Sequence, residues 1–312
     1  MLTYLGRRLV QGLAAMAIAI TLAFVAMQLA PGDPATALLA ASGATQQEVA
    51  ERRQQLGLDD PLPTQCLRFL ADLLRGDLGS SWLHGRPVGK MVVEQAPATI
   101  ELALAASAIG AALGIGLGVL GATRRGRWCD TLATALAVVS LSTPTYWSGL
   151  LAILVFSLRL RWFPSSGAAG LHHLVLPALV LGVALAGSVA RLVRVRVAEV
   201  LEMPFVTAAR ARGLPTRRVL AVHVLRPALG PALTVIALQT GFLLGGAVVT
   251  ESVFARPGLG KLVLDAVLWR DLPVLRGVIL VGAAAYTGMN LVADLAVAWL
   301  DPRLRERLLP LD

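Results

Sequence analysis

Apolar residues in this chain come in long unbroken runs, not in alternation with polar ones. The runs are Leu9–Ala30, Thr99–Ala122, Thr131–Leu158, Leu174–Ala190, Leu229–Phe254 and Gly277–Leu300. A helix needs about 20 apolar residues to cross a hydrocarbon layer about 30 Å thick. The pattern therefore predicts an all-α membrane protein with six transmembrane helices, since a barrel strand would alternate. The third run is long and contains Pro144, so a kink or tilt is expected there; the fourth is the shortest. Arg7 and Arg8 precede the first run as they would in a signal peptide. That run is too long for one, and Pro31-Gly32-Asp33-Pro34 stands where a small-residue cleavage site belongs, so it reads as a retained helix.

The polar positions divide the chain into 1–30 (an N-terminal segment and the first span), 31–98 (an external segment) and 99–312 (a membrane core with the other five spans and a polar loop at about 194–228). The external segment is predicted helical at Ala35–Ala41 and Gln46–Leu56. A further amphipathic piece at Leu67–Leu74 places Leu67, Leu70, Leu73 and Leu74 on one stripe. Pro61, Pro63, Gly76, Gly79, Gly85 and Pro87 cut it into short pieces.

Composition agrees. Of 312 residues 56% are hydrophobic and 15% charged, against about 45–50% and about 25% in ordinary soluble domains. A soluble globule, a disordered chain and a disulfide scaffold are excluded; the two cysteines, Cys66 and Cys129, fall on opposite sides of the expected membrane. The net charge of +9 is unevenly placed. Arginines crowd the two ends, residues 124–127 and residues 191–226, all on one side if six spans are correct. By the positive-inside rule that side, with both termini, is cytoplasmic. Because the arginines are split among several loops, no nucleic-acid partner is expected.

The loop Glu202–Pro231 is the most informative segment. Pro204 suits the first turn of a helix and Gly213 its exit. Phe205, Ala208, Ala209 and Arg212 would share one face, two small residues letting another surface approach. Pro215 then opens a second helix carrying Arg217 and Arg218 back to the membrane. A short helix across the membrane face can pass motion to the spans; the plainer reading is a solvated basic loop.

Here the chain resembles the permease subunits of ATP-binding-cassette (ABC) importers for dipeptides, oligopeptides and nickel. The resemblance is carried by Ala209-Arg210-Ala211-Arg212-Gly213 with His223 and Arg226 following. Collinear segments extend it: Pro31-Gly32-Asp33-Pro34, Leu56-Gly57-Leu58-Asp59-Asp60-Pro61, Gly76-Asp77-Leu78-Gly79, Thr250-Glu251-Ser252-Val253-Phe254, Pro257-Gly258-Leu259-Gly260, Arg270-Asp271 and Leu300-Asp301-Pro302-Arg303. It departs at Thr207, where the generic permease signature has Glu, at His223, where it has Ile, and at Pro227, one place late. The resemblance implies a type I importer permease fold in the bacterial cytoplasmic membrane. It also implies a subunit forming half of a translocation pathway. Its implied partners are a second homologous permease, two ATPase subunits, an extracytoplasmic solute-binding protein and membrane lipid. Phe205, Thr207, Ala208, Ala209, Arg210, Arg212, Gly213 and Leu214 would form the coupling helix seated on an ATPase.

The chain is expected to be non-catalytic, without cofactor or metal of its own, ATP and Mg being held by the partners. Gly258-Leu259-Gly260-Lys261-Leu262 only imitates a phosphate loop, lacking its first glycine and its Ser or Thr. Gly116-Leu117-Gly118-Val119-Leu120-Gly121 has dinucleotide-loop letters without the strand; Gly110, Gly114 and Gly118 instead suggest close helix packing. Ser140, Ser142 and Ser148 have no histidine in a span to make a protease of them. Polar groups within spans mark pathways or partnerships, which makes Gln239, Thr240, Glu251, Asn290 and Asp294 the pathway candidates. An ATP-independent secondary transporter or channel is the alternative, but it would show inverted repeats and more charge in its helices.

Overall fold

The computed structural model describes residues 2–29, 35–36, 45–245 and 247–300. Among these the regular structure is helical, apart from a single bridge between Ser80 and Pro87. The helices are α1 (Leu2–Leu29), α2 (Gln46–Gln55), α3 (Leu62–Leu74), α4 (Val88–Thr123), α5 (Trp128–Ser142) and α6 (Thr145–Arg159). Then follow α7 (Leu171–Leu201), α8 (Pro204–Ala211), α9 (Thr216–Ala228), α10 (Gly230–Leu244), α11 (Val248–Val253), α12 (Leu259–Leu268) and α13 (Leu272–Leu300).

The frame is the pair α4 and α7. A Cβ on Gly114 would stand 3.0 Å from the Ala186 carbonyl, and one on Gly118 2.7 Å from the Ala190 carbonyl. Gly182 on α7 repays the approach: its Cβ would lie 3.0 Å from the Ala106 carbonyl. The glycines that mimic a nucleotide loop are thus a seam for backbone contact. Each step of four along α4 meets a step of four along α7, so the two helices run parallel. α10 and α13 are antiparallel, Gly241 facing Tyr286 and Met289 while Gly245 faces Gly282.

Three helices are long and apolar enough to cross a membrane as single rods: α4, α7 and Leu272–Val292 of α13. Two bent pairs would bring the number to five, with Val10–Leu22 of α1 as a shorter apolar stretch. The expected third span is broken: α5 and α6 meet at 102°. Pro144 supplies no N–H, and Thr143 before it is extended at φ −90°, ψ 121°, as a residue preceding proline prefers. The expected fifth span is also not one rod. α9 and α10 bend by 56° at Leu229, just before Gly230-Pro231, and α10 stops at Leu244, ten residues short of Phe254. The second span starts earlier than expected, since α4 begins at Val88 and carries Pro97 within it.

In the external segment α2 forms as predicted and opens with a reciprocal cap. Thr45 N–H donates to Glu48 (2.7 Å) and Glu48 N–H to the Thr45 hydroxyl (3.4 Å). The donated Thr45 backbone bond, with its hydroxyl, holds the Glu48 carboxyl below its ordinary value. Positions 37–41, the rest of the predicted first helix, lie outside the described residues. The predicted leucine stripe on α3 is only partly realised. Leu67 is exposed, whereas Phe69 is buried with the Arg276 guanidinium 5.2 Å above its ring; the side chains of Leu70 and Leu74 are outside the described set.

Candidate functional site: a surface helix at one end and a polar knot at the other

The loops 124–130 and 191–228 share one end of the bundle. Asp130 in the first turn of α5 accepts two hydrogen bonds from Arg194 on α7, one of them 2.9 Å, and one from Gly126 N–H at 3.1 Å. Arg125 pairs with Glu202 at 2.9 Å on the surface. The same end holds a valine-rich cluster: Val189, Val193, Val197 and Val200 of α7 with Val219 and Val224 of α9.

α8 lies on this cluster, starting at Pro204 and closing with two bonds, Gly213 N–H to Arg210 O (2.9 Å) and Leu214 N–H to Ala209 O (3.3 Å). Gly213 has φ +78°, the left-handed conformation this cap needs and glycine adopts without strain. Val206 (0% exposed) and Ala209 (8%) are the inward face. Phe205, Thr207, Ala208, Arg210 and Arg212 are exposed, and Leu214 packs against the cluster. The structure thus divides the face expected from spacing: Phe205, Ala208 and Arg212 point outward, while Ala209 turns in. Val206, the anchor, had no place in the sequence argument, although its spacing of three from Ala209 carries the signal. Just beyond, Val219–Val224 winds as a π-helix, leading into α9's last turn.

At the opposite end, the segments between α10 and α13 knot onto the start of α4. Glu251 is 0% exposed; it accepts the Thr99 hydroxyl (2.6 Å) and the Lys261 N–H (3.0 Å). Leu259 N–H donates to the Thr99 hydroxyl (2.8 Å) and Gly258 N–H to the Gln95 side chain (3.2 Å). The start of α12, the would-be phosphate loop, is therefore capped by the chain's own carboxylate. A Cβ on Gly258 would collide with that carboxylate, and one on Gly260 would stand 2.6 Å from Val248 N. Arg256, 1% exposed, donates to the Ala98 carbonyl and to Glu101 (3.0 Å). Beside this knot Asp271 is 2% exposed and accepts from the Ser81 hydroxyl, Trp82 N–H (3.1 Å) and Leu83 N–H (3.3 Å). Thr99, Arg256 and Ser81 were not singled out from sequence; they become legible only once distant segments meet.

The five pathway candidates do not converge. Glu251 is enclosed in the knot. Thr240 is 2% exposed; its hydroxyl donates to Ile236 O (2.8 Å) and shares a second hydrogen bond with the Ser107 hydroxyl on α4 (2.7 Å). Gln239, its neighbour, is exposed beside Leu238 and Phe242. Asn290 on α13 keeps a buried Oδ1 that accepts no hydrogen bond. The side chain of Asp294 lies outside the described residues.

The family model for the binding-protein-dependent transport system inner membrane component matches residues 114–306, and its N-terminal companion matches residues 1–103. The chain belongs to this family, and is the permease subunit of an ABC importer. Among its relatives, a Brucella abortus (strain 2308) protein named as a peptide transport system permease is 39% identical over 307 residues, covering 96% of this chain and 98% of its own. The glutathione transport system permease protein GsiC of Salmonella paratyphi A is 38% identical over 305 residues, covering 98% and 99%. In fold, the chain resembles one from the inward-facing MetNI methionine ABC transporter, with TM-score 0.56 and 20% identity over 68% of this chain and 96% of that one.

Proposed function

We propose that this permease imports peptides or related small solutes. It would form half of the pathway beside a second homologous permease and take its drive from two ATPase subunits under α8, with ATP and Mg held there. In this reading α1 is the sixth crossing, both termini and α8 are cytoplasmic, and a solute-binding protein delivers cargo at the Glu251–Asp271 end. The names of the relatives support peptide-like cargo. Arginine enrichment at the α8 end supports the orientation.

The observation that carries the reading is the split face of α8. Val206 and Ala209 fix the helix to the body, while Phe205, Ala208 and Arg212 stand outward beside Arg210 with no acid on the helix. Such a helix fits a groove with an aromatic-accepting floor and acidic rim. The plain basic-loop reading would not require a rigidly capped helix anchored by a buried valine. Alternating access would then be biased by nucleotide-dependent closure of the ATPases beneath the helix.

The test is co-purification. Ala208→Trp fills the outward face and is expected to release the ATPase from an intact permease. Arg212→Glu reverses the rim charge and is expected to weaken the association. Undiminished ATPase recovery with both variants would refute the assignment of α8.

A further inference from the structure

α5 and α6 meet at a sharp break within the expected third span. α5 starts at the arginine end, where Asp130 pairs with Arg194, and runs antiparallel to α7 until Ser140 packs against Gly187. Gly187 is seven residues from Arg194, about 10 Å along a helix, and lies within the apolar stretch of α7. The break therefore lies at membrane depth.

There the backbone is open. Pro144 cannot donate to the Ser140 carbonyl, and the next chain segment leaves at 102°. Among the described residues, the carbonyls of Ser140, Leu141 and Ser142 accept no hydrogen bond. The nearest hydroxyls serve earlier carbonyls instead: Ser140 donates to Ala137 O (2.9 Å) and Thr143 to Val139 O (2.7 Å). Ser142 and Pro144 are exposed on the surface of the chain. Open backbone at this depth is tolerated only where protein covers it or water reaches it, not against lipid. The last turn of α5 also carries no basic side chain to offset the negative end of the helix.

We infer that the Ser142–Thr145 break is a polar station on the cargo path, where the carbonyl end of α5 receives a positively charged group of the cargo, such as a peptide ammonium. This rests on the reading of the chain as half of a pathway. The hydroxyls of Ser142 and Thr145, one on each side of the break, make no hydrogen bond among the described residues, which favours water over a sealed protein seam. Broken helices whose carbonyl ends face a cavity are a general means of holding cations within a membrane.

The test uses the assembled complex in proteoliposomes, with Cys66→Ser and Cys129→Ala as background and Ser142→Cys as the probe position. Membrane-impermeant cationic and anionic methanethiosulfonates are compared, their rates normalised to a free thiol. Both are expected to react, the cationic reagent about fivefold faster, as an attraction to a helix end of ordinary size gives. Thr145→Cys, on the far side of the break, should react with a smaller cationic preference and covers the case of a misassembled Ser142 variant. Pro144→Ala, which restores a donor for Ser140, should reduce the cationic preference while ATPase co-purification persists. Absence of reaction at both positions in an assembled complex, or reaction only after the two permeases are separated, would assign the break to a protein seam. Equal rates for the two reagents would remove the cation preference. Either result overturns the inference, and neither bears on whether α8 docks an ATPase.

Discussion

Glu251 is a carboxylate in an apolar segment, and its surroundings define what it does: it closes a helix start and ties α11 to α4 through Thr99. Glu251→Ala would leave Thr99 and the Lys261 amide short of a partner, at about 1–3 kcal/mol. The expected result is a lower unfolding midpoint in detergent, whereas a residue that only touched cargo would change transport and leave the midpoint alone. The glycines of α4 give a sharper contrast. Gly118→Leu would drive a side chain into the Ala190 carbonyl and should cost about 1–3 kcal/mol. Gly116→Leu, with nothing within 4 Å of its Cβ, should be near neutral. Equal effects of these two in thermal unfolding would contradict the parallel α4–α7 seam. From sequence the spacing of Gly110, Gly114 and Gly118 was legible because a period of four needs only local geometry. The use of Glu251 was not, because Thr99 lies 152 positions away.

At the scale of elements, hydropathy located the membrane segments, and Pro144 marked the bend in the third run without giving its size, which is 102°. Backbone chemistry there, a missing proline donor and an extended preceding residue, breaks the rod. The early stop of the fifth had no such mark: apolar character persists through residues 245–247, so a run of greasy letters reads as one rod. The proposed docking helix, α8, was the converse case. Pro204 and Gly213 fixed its ends from sequence, yet its two faces could not be sorted without knowing that α7 and α9 lie on one side of it. Val206→Ala should therefore act differently from Ala208→Trp. Removing two methyls from the valine cluster costs about 1–3 kcal/mol of stability, with ATPase retained by whatever remains folded. Substituting the outward alanine should leave the midpoint unchanged and lose the ATPase. Identical behaviour of the two variants in unfolding and pull-down assays would mean that α8 has no separable docking face.

At the scale of the whole molecule, α4 and α7 join the two ends. α4 carries Gln95, Thr99 and Glu101 into the polar knot and runs parallel to α7, whose far end supports α8 through the valine cluster. A push on α8 thus reaches the knot along a closely packed pair rather than through loose side chains, which is how a nucleotide-dependent movement at one face could open the other. The most direct measurement is photocross-linking from position 208, with a benzophenone side chain in place of Ala208 and the complete transporter in its native membrane. The account predicts an adduct with the ATPase subunit, formed from the cytoplasmic side. An adduct with the solute-binding protein, or no protein adduct from a complex that still transports, would contradict it.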